Sequence, residues 1–263
     1  MLTCVKPENG QTGEAGRTRP KWVGYNRTMF DAFRRRYLDV LGSIYIYNEH
    51  RGYTSIDRVL EAVLAHCPDD AGFIAAIRKH RADERKHYVM FRRWFELRGQ
   101  MPLSVDRACG HIDRFVEIAF GSTIDDLDTQ AVIASEALFE RLCRVIMLTE
   151  MRGMKQVDTL LRSPLVRSDP VLVKIFRIVE RDEPSHWQPY RDWLIRTGRP
   201  QAKRRERLID FWIHRELLFL KLPLLFLNPW LPRATGWADA DEGEASRPVI
   251  IAPTVAARLE SVR

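Results

Sequence analysis

Two stretches of the chain repeat one short motif: residues 83–87 read Asp-Glu-Arg-Lys-His, and residues 182–186 read Asp-Glu-Pro-Ser-His. In each motif the glutamate and the histidine are three residues apart, which places both on one face of a helix. Glu84 continues an apolar stripe that runs from Ile77 to Phe91, so its carboxylate faces the predicted core. A charged carboxylate in a core is costly unless it is paired or binds a cation. The motif therefore predicts buried acidic sites in a helical protein.

Apolar residues recur at three- and four-residue spacing along four long segments, and no segment alternates as a β-strand would. These predicted helices run over about residues 28–66, 70–99, 128–152 and 169–195. A shorter helix is predicted from His111 to Phe120, and Gly153 is expected to stop the third long helix. Pro184 lies inside the second motif and predicts a kink there. Four long helices in two hairpins indicate an all-α four-helix bundle.

The bundle is predicted to occupy residues 28–198. A loose arm over residues 1–27 precedes it, a basic and then apolar helical extension over 199–233 follows, and residues 234–263 form a flexible tail. With 263 residues the chain is long enough to bury a sizeable core. Its 42 Lys and Arg against 35 Asp and Glu favour anionic partners without choosing among them.

The four cysteines contain no C-x-x-C pair, which excludes a zinc ribbon or a rubredoxin-type iron site. Scattered single cysteines are typical of a reducing compartment. The first residues hold no apolar segment of the kind found in signal peptides. These features together predict a cytoplasmic protein.

Each hairpin is expected to bring two inner glutamates to the same level. In the first, Glu49 and Glu84 lie 17 and 14 residues from the two sides of the connecting turn. In the second, Glu136 and Glu183 lie 17 and 13 residues from the expected helix ends. Glu140, one turn after Glu136, remains an alternative ligand, an additional carboxylate or an ion-pair partner of Arg141 or Arg144. The two halves of the chain thus repeat the order Glu, then Glu-x-x-His.

Four carboxylates and two imidazoles converging in a bundle are the ligand set of a dinuclear metal site. The predicted ligands are Glu49, Glu84, His87, Glu136, Glu183 and His186. Four negative charges balance two divalent cations, and this neutralisation offsets the free-energy cost of burying the carboxylates. Buried Glu–His pairs without a metal would leave the repetition between the halves unexplained. The remaining histidines have no such spacing and are expected to have no role in the site: His50, His66, His80, His111 and His214.

Over about residues 28–196 this pattern resembles the ferritin-like di-iron carboxylate superfamily. The motif Asp182-Glu183-x-x-His186 is similar to the last motif of the ribonucleotide reductase small subunit, and Ser135-Glu136-Ala137-Leu138-Phe139 is similar to its third-helix ligand region. The chain is shorter than that family's members. Tyr45 and Tyr88 are its nearest counterparts to a radical tyrosine.

The resemblance implies two iron ions, with manganese as the alternative. One ion would be held by Glu49, Glu84 and His87, and the other by Glu136, Glu183 and His186. Glu84 and Glu183 would bridge the two ions, while Asp83 and Asp182 would orient the imidazoles through hydrogen bonds.

The resemblance also implies an oxidoreductase that uses O₂ to hydroxylate or desaturate a hydrophobic or amphipathic small molecule. Because the chain has no rubredoxin-type module, its electrons would come from a separate reductase. Two alternatives remain open: a tRNA-modifying di-iron hydroxylase, which the positive charge suits, and a rubrerythrin- or ferritin-like iron-handling protein.

The apolar stretch from Leu208 to Leu231 has two interpretations. Its most apolar part, residues 217–231, would reach about 22 Å as a helix, too short for a hydrocarbon core of roughly 30 Å. It either packs on the bundle or in a homodimer interface, or it lies on an anionic membrane surface at the cytoplasmic face. The membrane contacts would then be Lys203, Arg204, Arg205, Phe219, Phe226 and Trp230.

Overall fold

A computed structural model describes residues 22–239 of the protein, with side chains from residue 29 onward. Residues 1–21 and 240–263 lie outside the described residues, so most of the predicted arm, with Cys4, and most of the predicted tail lie outside them too. The helix that contains Glu49 begins at Trp22, six residues earlier than predicted. The predicted arm is therefore helical over its last residues.

The described residues form helices joined by turns and loops, and residues 22–239 contain no β-strand. In chain order the α-helices are α1 (Trp22–His66), α2 (Ala71–Leu97), α3 (His111–Phe120), α4 (Thr129–Ala134), α5 (Glu136–Arg162), α6 (Pro164–Arg167), α7 (Pro170–Asp182), α8 (Pro184–Arg196), α9 (Arg204–Glu216) and α10 (Leu222–Leu227). A π-helix, Leu217–Lys221, joins α9 to α10. The all-α class is confirmed.

Side-chain caps explain where several helices start. The Asp70 carboxylate accepts a hydrogen bond from the Phe73 amide at 2.9 Å and begins α2. Asp169 does the same for α7 through the Leu172 amide, at 3.0 Å. Such caps satisfy backbone N–H groups that have no partner inside the helix. Both starts were predicted from the sequence.

The third and fourth long helices differ from their predicted form. The third is divided at Ser135 into α4 and α5, and α5 runs on to Arg162. Gly153 therefore lies inside α5, because a glycine costs a packed helix only about 1 kcal/mol and does not stop it. The fourth is interrupted as predicted at Pro184, where α7 ends and α8 begins.

Four helical segments bury their apolar faces against one another: α1, α2, α5, and α7 followed by α8. One buried cluster joins residues 56–63 of α1 to the start of α2, to α5 and to α8. A second cluster joins residues 38–53 of α1 to the end of α2, to α5 and to α7. Between these two apolar clusters the same helices carry the acidic motif residues. A polar centre therefore lies between the two apolar clusters of the core.

The chain divides into two compact units inside α1, after Arg35. The described part of the first unit is the helical stretch of residues 22–35, in which Arg34 pairs with Asp31 at 3.6 Å. Every other described element belongs to the second unit, including the polar centre.

The C-terminal extension is helical and packs on the second unit, with α9 against α3 and α5. It is shorter than predicted, because α10 ends at Leu227. Arg36 helps hold that end, since its guanidinium donates to the Leu225 carbonyl at 2.6 Å. The start of the predicted tail is ordered, because Tyr88 donates to buried Asp239 at 2.9 Å. No helix within residues 22–239 is long and apolar enough to cross a bilayer.

Candidate metal centre

Two overlapping groups of side chains lie in the polar centre, all of them buried except Glu150, which is half-buried. The first comprises Glu49 of α1 with Glu84 and His87 of α2, and its ligand atoms lie within 4.8 Å of one another. Nδ1 of His87 lies 3.2 Å from Oε2 of Glu49. These three residues were predicted to act together from the Glu…Glu-x-x-His order.

The second group comprises His80 and Glu84 of α2, Glu150 of α5 and His186 of α8, again within 4.8 Å. Nε2 of His80 lies 3.7 Å from Oε1 of Glu84 and 3.7 Å from Oε1 of Glu150. Nδ1 of His186 lies 3.2 Å from Oε1 of Glu84. Because Glu84 belongs to both groups, it is placed to bridge two cations.

Glu183 completes the set of carboxylates. It lies between α7 and α8, and its Oε2 is 3.9 Å from Nδ1 of His186. It is buried, and among the described residues that oxygen has no hydrogen-bond partner. The same is true of both ring nitrogens of His186 and of Nε2 of His80. Buried polar atoms without partners are rare, and a bound ion is one common explanation.

The aspartates of the two motifs support the imidazoles crosswise. Nε2 of His87 lies 3.2 Å from Asp182, and Nε2 of His186 lies 3.5 Å from Asp83. Lys86 donates to both carboxylates at 2.6 Å and ties the motifs together. Each histidine is thus oriented by the aspartate of the other motif, and its second nitrogen faces the carboxylates.

Glu136 and Glu140 do not join the centre, contrary to the sequence-based prediction. The Glu136 side chain is 64% exposed and pairs with Arg199 at the start of α5. Glu140 pairs with Arg199 and, at 3.1 Å, with Arg144. The error came from ending the third helix at Gly153. Counted from the real end at Arg162, Glu150 is at the level of Glu183.

A repeated sequence pattern could have identified Glu150. Glu49-His50-Arg51-Gly52 in α1 and Glu150-Met151-Arg152-Gly153 in α5 share the pattern Glu-x-Arg-Gly. Both glycines face carboxylates: a Cβ on Gly52 would clash with Oε2 of Glu84, and one on Gly153 would lie 3.3 Å from Oε1 of Glu183. The glycines let α1 approach the Glu84 carboxylate closely and α5 approach that of Glu183.

The arginines of this repeat also play matching structural roles. Arg51 pairs with buried Asp113 of α3 at 2.8 Å. Arg152 pairs with buried Asp210 of α9. Each half therefore uses its Glu-x-Arg-Gly stretch both to present a carboxylate inward and to anchor a covering helix.

His80 is the other residue that the sequence analysis missed. It lies four residues before Glu84, on the same face of α2, and it is buried with its ring stacked on His186 at 4.2 Å between centroids.

The two tyrosines singled out in the sequence, Tyr45 and Tyr88, differ in their hydrogen bonding. The Tyr45 hydroxyl is buried without a hydrogen-bond partner in the described part of the chain, whereas Tyr88 donates to Asp239.

The protonation of the metal-free centre reflects crowded negative charge. Burial and the charge of Glu84 raise the pKa of Glu49 to about 7. The same two causes raise the pKa of Glu150 well above its ordinary value, and burial raises that of Glu183. Burial alone would lower the pKa of His87, but Glu49 and Asp182 outweigh it and raise the pKa to about 9. Protons are thus retained on these three carboxylates and on His87, whereas burial and the charge of His186 lower the pKa of His80 to about 4.

We expect the stability of the metal-free protein to fall as pH rises from 6.5 to 8.5. The folded state retains protons on Glu49, Glu150, Glu183 and His87 that the unfolded chain has released, so raising the pH favours unfolding. Urea unfolding at several pH values measures this, and Glu150→Gln should flatten the dependence by removing one titrating group. A metal-free protein whose stability rises over this range would contradict the description.

The donor set fits a divalent transition metal. Four carboxylates and up to three imidazoles from four helices offer hard oxygen and borderline nitrogen ligands, which suit iron, manganese and zinc. Oε2 of Glu183, Nδ1 of His186 and Nε2 of His80 have no hydrogen-bond partner among the described residues and lie beside other carboxylates and imidazoles of the centre, whereas Nε2 of His186 faces Asp83. These residues could therefore bind metal.

Comparison of the chain with models of known families, with curated proteins and with solved structures finds no match. The chemistry of the centre is therefore argued from its own residues.

Proposed function

We propose that the four helical segments form a ferritin-like bundle and that the centre holds two iron ions, with manganese as the alternative. The observation that carries this is that two groups of carboxylates and imidazoles, buried except for the half-buried Glu150, share Glu84. Glu49 and His87 would hold one ion, and Glu150 and His186 the other, with Glu84 between them. Glu183 and His80 would supply further ligands. The pairing is supported by the matching Glu-x-Arg-Gly and Asp-Glu-x-x-His patterns of the two halves.

We further propose that the protein is an O₂-dependent oxygenase of hydroxylase or desaturase type. Held by these residues, two ferrous ions would supply the electrons for O₂ reduction, and O₂ would be the oxidant for an unactivated C–H bond. A separate reductase in the cytoplasm would restore those electrons. The protein's own contribution is to bind, orient and shield the substrate.

A cavity beside the centre supports a hydrophobic substrate. It has a volume of about 120 Å³ and is lined by all four carboxylates, Glu49, Glu84, Glu150 and Glu183. Its apolar walls include Ile56, Val59, Val116, Ile124, Leu142 and Ile146. Substrate pockets of this kind combine apolar walls with a few convergent polar groups. A substrate held there would meet the centre on its carboxylate face.

His87 and His186 lie on the side of the centre away from the cavity. Neither His87 nor His186 lines the cavity, and each is held by the aspartate across the motif pair. The Asp83–Lys86–Asp182 group lies behind the imidazoles and fixes their orientation. This arrangement leaves the cavity side open to substrate while the other side is held by hydrogen bonds.

The experiment is rapid mixing of anaerobically iron-loaded protein with O₂, alone or with total lipid extract or tRNA. We expect the lipid extract to contain material that accelerates oxidation. Val116→Phe, which fills the cavity from α3 without touching a ligand, should abolish that acceleration while iron content stays unchanged. Acceleration by tRNA alone would favour the tRNA hydroxylase, and no acceleration by either would favour iron handling.

A further inference from the structure

Helix α9 is oriented with its acidic side inward and its apolar side outward. Glu206, Asp210 and Ile213 are buried, although two of the three are acidic. Leu208 and Trp212 on the opposite side are 56% and 62% exposed. Surface helices ordinarily bury the apolar stripe and expose the charged one. The outward face of α9 thus lacks the usual polar character.

Buried ion pairs hold α9 in this orientation. Glu206 accepts two hydrogen bonds of 2.9 Å from Arg144, a fully buried residue of α5. Asp210 pairs with Arg152 and lies 3.1 Å from Nε2 of His111. Rotating the helix to bury its apolar face would carry Glu206 and Asp210 outward and would deprive the fully buried Arg144 guanidinium of Glu206, which is strongly unfavourable. The exposure of the apolar face is therefore built into the fold.

The apolar surface continues past α9 into the π-helix and α10. We call the whole the α9–α10 apolar face. Its exposed members are Leu208, Phe211, Trp212, Leu218, Phe219, Leu220, Leu224, Leu227 and Trp230. Trp230 is 86% exposed. Contiguous apolar surface of this extent on a folded protein marks an interaction site.

The exposed charge around this face is positive. Arg204, Arg205 and Arg207 are exposed at the start of α9, and the Arg215 guanidinium stacks on Phe211 at 4.9 Å. The three acidic residues of this stretch leave no free negative charge on its surface. Glu206 and Asp210 are buried, and Glu216 pairs with Lys221 at 3.5 Å. Basic side chains beside exposed aromatic and leucine side chains match a surface of anionic phosphates over hydrocarbon.

We propose that the α9–α10 apolar face docks on anionic phospholipid membranes, with the aromatic and leucine side chains entering the acyl boundary and the arginines contacting phosphates. A second copy of this chain is a poorer occupant. A two-fold contact would place identical arginine clusters together with no free acidic partners in this stretch. Of the contacts predicted from the sequence, Phe226 is half-buried and is not part of this face.

The docking face also adjoins the cavity of the metal centre. Leu217, the first residue of the π-helix, lines that cavity, and the next three residues belong to the exposed face. A lipid-soluble substrate would then reach the centre from the bilayer. This consequence rests on the proposed function, whereas the docking itself does not.

The test is co-sedimentation of the full chain with phosphatidylcholine vesicles, with or without phosphatidylglycerol, at low and high salt. We expect binding to the anionic vesicles that is weakened by salt. Phe211→Ser with Trp212→Ser and Phe219→Ser should lower the bound fraction at least about tenfold. Leu97→Ser with Ile195→Ser, which also removes exposed apolar side chains, is the matched control and should bind normally. Circular dichroism checks that both variants fold.

Three outcomes would overturn the proposal. They are absence of binding at low salt, equal binding to neutral vesicles at every salt concentration, and normal binding of the triple variant. Analytical ultracentrifugation separates the alternative, since a dimer that the triple variant dissociates would assign the face to a second copy. Because the assay needs neither iron nor O₂, a failure here leaves the proposed oxygenase function standing, and the reverse also holds.

Discussion

Glu150→Gln should lower the iron content of anaerobically loaded protein from two ions per chain to about one or fewer. Glu150 belongs to the second ligand group, where its Oε1 lies 3.7 Å from His80. A glutamine keeps the size of the side chain but removes the charge that would balance the ion. Plasma mass spectrometry of desalted protein measures the loss.

Glu136→Gln is the matched control for this experiment. It is the same substitution in the same helix, but Glu136 is exposed and pairs with Arg199. We expect its iron content to equal that of the unaltered chain. If Glu136→Gln lost iron and Glu150→Gln kept it, the ligand set drawn from the structure would be wrong.

Gly52→Ala should have the second large effect, and with an unusual sign. In a helix interior alanine ordinarily stabilises by about 1 kcal/mol relative to glycine. At position 52 the added Cβ would clash with Oε2 of Glu84, so the carboxylate that we propose to bridge the two ions must leave its present position. An affinity loss of about 100-fold would remove roughly 2.7 kcal/mol of metal-linked stabilisation. The measurement is the rise in Tm on adding Mn(II), which should nearly disappear.

Gly72→Ala provides the comparison for Gly52→Ala. It lies in α2, where the added Cβ would be 3.6 Å from Oδ1 of Asp70, an ordinary contact. We expect this variant to keep the full Mn(II)-induced rise in Tm. An equal rise in Gly52→Ala would show that Glu84 does not need its present position to bind metal.

The sequence predicted the helical class, several helix starts and most of the centre. Glu49, Glu84, His87, Glu183 and His186 are brought together because helical spacing and hairpin levels are local properties that a sequence carries. Asp83 and Asp182 likewise lie beside the imidazoles, although the crosswise pairing is visible only in three dimensions.

Glu150 and His80 were missed for physical reasons. Gly153 was interpreted as a helix stop, whereas its lack of a Cβ serves the close approach of α5 to Glu183. His80 follows no Glu-x-x-His spacing, and its membership depends on Glu150 arriving from another helix. Long-range packing decides both, and local patterns do not encode it.

The orientation of α9 could not be predicted from the sequence either. Hydrophobic periodicity alone would place Leu208 and Trp212 inward. The observed orientation depends on the buried Arg144 and the half-buried Arg152, whose partners lie some 60 residues away in sequence. Such pairs override the usual preference for burying apolar side chains because an unpaired buried charge is costlier.

Anomalous X-ray diffraction at the iron edge, from crystals of anaerobically loaded protein, tests directly whether a dinuclear iron site is built on Glu84. We expect two anomalous peaks per chain, one beside Glu49 and His87 and the other beside Glu150 and His186, with Glu84 in contact with both. A loaded crystal with no peak at these residues, or with a single peak away from Glu84, would contradict this expectation.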